Sequence, residues 1–361
     1  MNDSAFIDFL RWSLHPTDKV PTSVSLIDWQ KLLTFAKMQT TVGIYWQGIQ
    51  KLEDVANKPT EDDVMDWMGD YTKIARRNAK TNDAIANLTK FMHDNDIEFF
   101  VFKGQTVASF YSFPEMRTSG DVDFYVFKKD WAKAKSLLEK DVTITDDHSG
   151  QHLEFSKDSI PFEMHYHTAV FASKSKQRYW DELIDSYFDE ILDHVKINGV
   201  EVPILPPTLN AIYLFVHIYH HFLKEGIALR QFIDWMMFFE ARHDEIVDTE
   251  LTAKLERLGL FCAFKAFGAV LINVLGMDAK FFPYALTDSD KRYVDKIMSI
   301  VLRCGNFGKY GRREQQGGWK HSIETGLRSL RHICQFFWLS PTENLLWLPK
   351  LTFQSIVKNT H

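Results

Sequence analysis

Hydrophobicity along the chain runs with two different periods. From Ala5 to about Ile97 apolar residues recur every three or four positions, at Leu32, Leu33, Phe35 and Ala36 and again at Tyr71, Ile74, Ala75, Ala79, Ile85, Leu88 and Phe91. That spacing predicts helices with one buried face. Lys58-Pro59-Thr60-Glu61 breaks the pattern and restarts it, with Thr60 as N-cap and Asp63 at the capping-box position. Asp94-Asn95-Asp96 then ends it.

The period changes in the middle third. Ile97-Glu98-Phe99-Phe100-Val101-Phe102 is a nearly continuous apolar run rich in β formers, as expected of a strand covered on both faces. Lys103-Gly104-Gln105 leads into a short helical pattern, Val107 to Tyr111, closed by Pro114. In Asp121-Val122-Asp123-Phe124-Tyr125-Val126, alternation puts Val122, Phe124 and Val126 on one face and both aspartates on the other. A helix is expected from Trp131 to Lys140 and a strand from Val142 to Ile144. Gln151–Ser156 and Ile160–His167 read as a hairpin joined through Lys157-Asp158-Ser159, and Val195–Val202 as another turning at Asn198-Gly199.

After Pro203 and Pro206-Pro207 the helical period returns, at about 208–224, 227–242, 249–258, 261–275, 287–303, 319–339 and 342–357. The expected fold class is therefore α+β. An N-terminal helical region (1–95) and a C-terminal helical domain (204–361) would flank a small mixed-sheet core (96–203).

Composition narrows the function classes. At 45% hydrophobic and 25% charged, the 361 residues describe a folded chain rather than a disordered one. The net charge of -6 argues against a generally cationic nucleic-acid binder. Cys262, Cys304 and Cys334 lie far apart, which excludes a disulfide framework or a cysteine-rich zinc site and fits a reducing compartment. Met1 to Leu10 lacks a basic segment followed by an apolar one, so no signal peptide is expected. No apolar run reaches the ~18–20 residues of a membrane-spanning helix. A cytoplasmic protein is the expectation, and oligomeric state is not legible.

The chemistry concentrates in Lys103-Gly104, Arg117, Asp121-Val-Asp123 and Glu163. Aspartates at i and i+2 on a strand point the same way, and their like charges need a cation between them. Mg²⁺, a hard ion that takes carboxylates and substrate phosphates, is the natural one. Glu163 shares a face with His165 and His167 on a later strand. If that strand lies beside the aspartates, a third carboxylate joins them in the arrangement that serves in-line phosphoryl chemistry. A Lys-Gly turn entering a helix offers backbone N–H groups to phosphate oxygens. Arg117, in the Ser/Gly loop that also holds Ser119, can set a planar donor fork against a phosphate. Each piece alone has a plain reading, as a solvated strand face or ordinary turn chemistry; the combination favours a functional site.

Phe102-Lys103-Gly104, Tyr111, Arg117, Asp121-Val122-Asp123 and Phe162-Glu163-Met164-His165 together resemble the nucleotidyltransferase superfamily of the DNA polymerase beta type. The resemblance is closer to its branch of uncharacterised nucleotidyltransferases, often encoded near surface-polysaccharide genes in bacteria. It is strong over 97–170 and weaker over 205–240. It implies that Asp121, Asp123 and Glu163 hold Mg²⁺, or Mn²⁺ in its place, with Glu163 as general base. Lys103, Gly104, Arg117 and Ser119 would then contact the nucleotide phosphates, and His165, His217, His221, Arg230 and Asp234 would line the substrate cleft. The implied activity moves a nucleoside monophosphate from ATP or another NTP to an acceptor, small and sugar-like first, a protein second. The alternative is a nucleotide-binding or scaffold protein that keeps the fold without turnover. Two features depart from the superfamily pattern: Gln105 stands where Ser or Gly is usual, and the spacer from Gly104 to Asp121 is long.

Weaker signals have ordinary explanations. His217, His220 and His221 on an aromatic helix are expected to pack or to line a cleft rather than bind zinc. Arg230 and Asp234, one turn apart, read as a helix-surface pair, with a base or acceptor contact as the alternative. Gly305 to Arg313 reads as a surface loop, with closure over a triphosphate as the alternative. The aromatic clusters Phe336–Leu339 and Leu345–Leu348 read as helix packing rather than a membrane interface.

Overall fold

The computed structural model describes residues 3–17, 19–53, 57–146, 152–188, 192–310 and 319–347. The chain opens on α1 (Asp3–Leu14), α2 (Trp29–Gln39), α3 (Val42–Ile49) and α4 (Glu61–Asp94). Thr60 and Asp63 cap α4 reciprocally, each side chain meeting the other's backbone N–H. The mixed region follows: β1 (Phe99–Phe102), α5 (Gln105–Ala108), β2 (Val122–Val126), α6 (Trp131–Leu138), β3 (Thr145–Asp146), β4 (His152–Lys157), β5 (Ile160–His165), α7 (Lys174–Asp185), and the hairpin β6 (Asp193–Ile197) and β7 (Val200–Ile204). Helices α8 (Pro207–Lys224), α9 (Leu229–Arg242), α10 (Asp248–Leu258), α11 (Phe261–Asn273), α12 (Asp288–Lys291), α13 (Val294–Cys304) and α14 (Trp319–Gln335) complete it. The fold is α+β.

The strands order as β1-β2-β5-β4-β3, with β6 and β7 in a sheet of their own. β2 and β5 run parallel, and the other neighbours are antiparallel. Alternation divides the sheet between two cores. Phe99, Val101, Val122, Phe124, Phe162 and Met164 pack with Ile85, Leu88 and Met92 of α4 and with the β6–β7 hairpin. Phe100, Phe102 and Tyr125 face a larger core that holds the N-terminal helices and the buried faces of α8, α9 and α11. Phe102 meets Tyr213 of α8 edge to face, ring centroids 4.9 Å apart. Asp123 and Glu163 point to this second side, beneath α8.

Departures from the sequence expectations lie at element ends. The strand expected at 142–144 forms at Thr145–Asp146 instead. The amides of Asp141 and Val142 are taken by Leu138 O in the last turn of α6, so they cannot join a ladder. The stretch 287–303 divides into α12 and α13. In the last aromatic segment 341–347 is helical, and the rest of it lies outside the described residues, as do 311–313 of the Gly305–Arg313 segment. Phe336, Leu339 and Trp347 are buried, whereas Trp338 and Leu345 are exposed. Among the described residues no helix is long and apolar enough to cross a membrane.

Candidate active site

The register of two parallel strands assembles the acidic set. Asp123 pairs with Glu163 across β2 and β5, and Tyr125 pairs with His165. Asp121 enters β2 just ahead. One carboxylate oxygen from each of Asp121, Asp123 and Glu163 lies within 4.8 Å of the others. Asp123 is buried, and Asp121 and Glu163 are partly so.

Cations of the chain surround Asp123. Its Oδ1 accepts from Lys103 Nζ at 2.8 Å and contacts His165 Nε2 at 2.9 Å. Burial opposes ionisation, but Lys103 and His165 outweigh it and hold the Asp123 carboxyl well below the usual carboxylate range. Lys103 and His165 move the other way: burial disfavours their charge, the neighbouring carboxylates more than compensate, and both pKa values rise. Glu163 is raised by burial and by the charge of Asp123, against a hydrogen bond with His165. The second oxygen of Asp123, Oδ2, is buried with no hydrogen-bond partner among the described residues. Such a lone acceptor beside two further carboxylates suits a divalent ion with oxygen ligands.

The turn after β1 brings Lys103 to this position. Lys103 and Gly104 both have positive φ, 52° and 59°. At Gly104 ψ is -128°, a combination that only glycine adopts readily. Gln105, at the position where the resembled superfamily has Ser or Gly, donates to Asn82 Oδ1 of α4 at 2.7 Å.

The loop before β2 is held on three sides. Asn78 of α4 donates to the carbonyls of Glu115 and Arg117 at 2.7 and 2.8 Å. Gly43 of α3 lets that helix approach; a Cβ there would stand 2.1 Å from Met116 O. Arg117 is buried and bidentate on Asp234 of α9, Nε and Nη2 at 2.7 and 2.8 Å, and Tyr111 donates to the same carboxylate at 2.7 Å. Arg230 donates to Thr118 O. Arg230 and Asp234 are thus not the exposed pair their spacing suggested. Both are buried, because α9 packs its polar positions onto the 115–120 loop as its apolar ones enter the core.

Between these elements lies a cleft of about 120 Å³ lined by Lys103, Gly104, Ser119, Asp121, His217 and Arg230, with Arg117, Thr118, Asp123 and Asp234 in its walls. Thr118 Oγ1, Ser119 Oγ and Arg230 Nε are buried there without a partner among the described residues. Burial and the neighbouring Arg117 charge lower the pKa of Arg230, and an anion in the cleft would offset that like charge. His217 is pushed well below its ordinary value by burial and by Lys103, which leaves it neutral. His221 lies against His217, ring centroids 4.5 Å apart, and contacts Glu225. His220 faces elsewhere, edge-on to Phe171. Asn306, at the start of the glycine-rich segment, reaches the cleft, as does Thr40 at the end of α2.

Sequence reasoning missed Asn78, Asn82, Thr118 and His152. The two asparagines had a readable signal, as polar residues one turn apart on a helix face with Thr81, Ile85 and Leu88 buried.

A family model for uncharacterised nucleotidyltransferases matches residues 25–275, more than half of the chain. The chain belongs to that family. The match takes in α2 to α4 and reaches α11, well beyond the strands and loops that carried the sequence resemblance. Among solved structures, the chain is similar to an antigenic nucleotidyltransferase-like protein from Paracoccidioides brasiliensis, at 13% identity and a TM-score of 0.33, over 56% of this chain and 96% of that one. No curated protein matches the chain.

Proposed function

We propose that this nucleotidyltransferase-family chain moves a nucleoside monophosphate from an NTP to an acceptor hydroxyl or phosphate and releases pyrophosphate, with Mg²⁺ as cofactor and Mn²⁺ as its substitute. The observation that carries the reading is the convergence of Asp121, Asp123 and Glu163 within 4.8 Å beside the Lys103-Gly104 turn. These three would hold the ion. When bound, a divalent ion neutralises phosphate charge and lowers the proton affinity of an attacking hydroxyl. The chain's own residues position the rest. Ser119 and Thr118 offer hydroxyls, and Arg230 its Nε, that have no partner among the described residues and can meet phosphate oxygens. Arg117, fixed on Asp234, holds the loop that carries those hydroxyls in place. Glu163 is the carboxylate placed to accept the acceptor's proton. Positioning and charge neutralisation dominate such transfers, so little covalent work falls to the protein.

A net charge of -6 favours a small acceptor, sugar-like or antibiotic-like, over a nucleic acid, with a protein acceptor as the nearest variant. One observation favours a second reading, nucleotide binding without turnover: Lys103 and His165 already balance the Asp123 charge. The experiment incubates the chain with Mg²⁺, the four NTPs and a pooled metabolite extract and follows pyrophosphate. Release by the wild type and its loss in Asp121→Asn support transfer. Nucleotide binding with no pyrophosphate supports the second reading, and free phosphate in its place points to a phosphohydrolase.

A further inference from the structure

We propose that His152, Glu163 and His165 form a second cation site, one for a transition ion of the Zn²⁺ class, next to the aspartates. His152 of β4 and His165 of β5 are directly opposed across the antiparallel pair, with ring centroids 4.9 Å apart. The Nε2 atoms of both rings face the same oxygen of Glu163, His165 at 3.2 Å and His152 at 3.7 Å. An ion bound tetrahedrally through bonds of about 2.0–2.1 Å separates its ligand atoms by about 3.4 Å. The two distances fall on either side of that edge, and all three ligand atoms lie within 4.8 Å of one another. Glu154 Oε1, 3.1 Å from the same His152 nitrogen, is placed to supply a further ligand.

The donor set selects the ion. Two imidazoles and a carboxylate suit Zn²⁺, Co²⁺ or Fe²⁺, whereas Mg²⁺ takes oxygen. Glu163 belongs to both groups, so the two ions would occupy adjoining positions. An ion on His165 Nε2 replaces the present contact of that nitrogen with Asp123 Oδ1 at 2.9 Å. The site shares Glu163 with the acidic set and does not require nucleotidyl transfer to take place.

Co²⁺, a spectroscopically visible member of the class, is the probe. Titration of the full chain followed by visible absorption should give a saturable band at one equivalent that added Zn²⁺ removes. His152→Ala and the milder His152→Gln should each weaken Co²⁺ binding at least about tenfold, the scale on which loss of even an outer-shell partner weakens a metal site. Asp121→Asn should bind Co²⁺ as the wild type does. The proposal is overturned by a wild type without a saturable band, or by either His152 variant titrating like the wild type. It is also overturned if Asp121→Asn loses the band, since the ion then sits among the acids and transfer alone is supported.

Discussion

Asp123 on β2 stands directly opposite Glu163 on the parallel strand β5, and the register of the sheet makes that pairing. Phe162 and Met164 pin it, because both are buried in the smaller core on the opposite face. A slip of one residue would carry Glu163 into that core and the apolar pair out of it. The meeting of the acids is therefore a consequence of packing elsewhere in the sheet.

The two aspartates should differ in what they cost to remove. Asp123 is buried in an ion pair with Lys103, whereas Asp121 is at the strand entrance. Asp123→Asn takes from the buried lysine its ion-pair partner and should lose about 3–5 kcal/mol of stability. Asp121→Asn should stay within about 0.5 kcal/mol of wild type. Urea unfolding of both variants checks this, and equal midpoints would refute it.

The Arg117–Asp234 pair should behave as one structural unit. Asp234→Asn leaves the buried Arg117 guanidinium without its counter-charge, and a loss of about 3–5 kcal/mol is expected. The double variant Arg117→Met, Asp234→Asn should lose less than the sum of the single losses. A double-mutant cycle by chemical denaturation reads the coupling, and additivity would show that the pair contributes nothing jointly.

Gly104→Ala should be costly although space is not the obstacle, the nearest atom to a Cβ being Asp121 O at 3.6 Å. The cost is backbone conformation, at φ 59° and ψ -128°. A loss of on the order of 1–3 kcal/mol is expected. Thermal unfolding measures it; an unchanged midpoint would mean that the turn tolerates a side chain.

Acid should destabilise the chain partly through His332. Burial pushes its pKa down to about 4, and Nδ1 lies 3.1 Å from Phe222 O. An unfolded histidine titrates near ~6.5. Stability is whole above that value and falls as the pH drops toward 4, because the unfolded chain takes a proton that the folded one refuses. The slope is about 1.4 kcal/mol per pH unit for one such group. His332→Gln should flatten this limb without abolishing it, since His217 and His220 are shifted the same way. Melting temperatures at pH 4.5 and 7.5 decide; an unaltered difference would contradict it.

The sequence made much of this legible because period and face are local properties. Alternation at 121–126 put both aspartates on one side, and the Thr60–Asp63 cap and Asn198-Gly199 turn form as their residues dictate. Long-range partners were beyond reach: nothing near Arg117 announces Asp234, which sits on a helix that packs there only in the folded state. One turn shows how small the margin is. A three-residue turn at Lys157-Asp158-Ser159 pairs Ser156 with Ile160 and sets His152 opposite Met164. In the fold Asp158 and Ser159 both take positive φ, Lys157 pairs with Ile160, and His152 meets His165.

The most direct test of the central claim is Mg²⁺ binding to the chain loaded with a non-hydrolysable NTP analogue, measured by isothermal titration for the wild type, Asp121→Asn and Glu163→Gln. The expected result is a single Mg²⁺-dependent event in the wild type that weakens at least about tenfold in each variant, the scale on which loss of even an outer-shell partner weakens a metal site. Wild-type affinity in Glu163→Gln would contradict it, because the third acid would then hold no part of the ion.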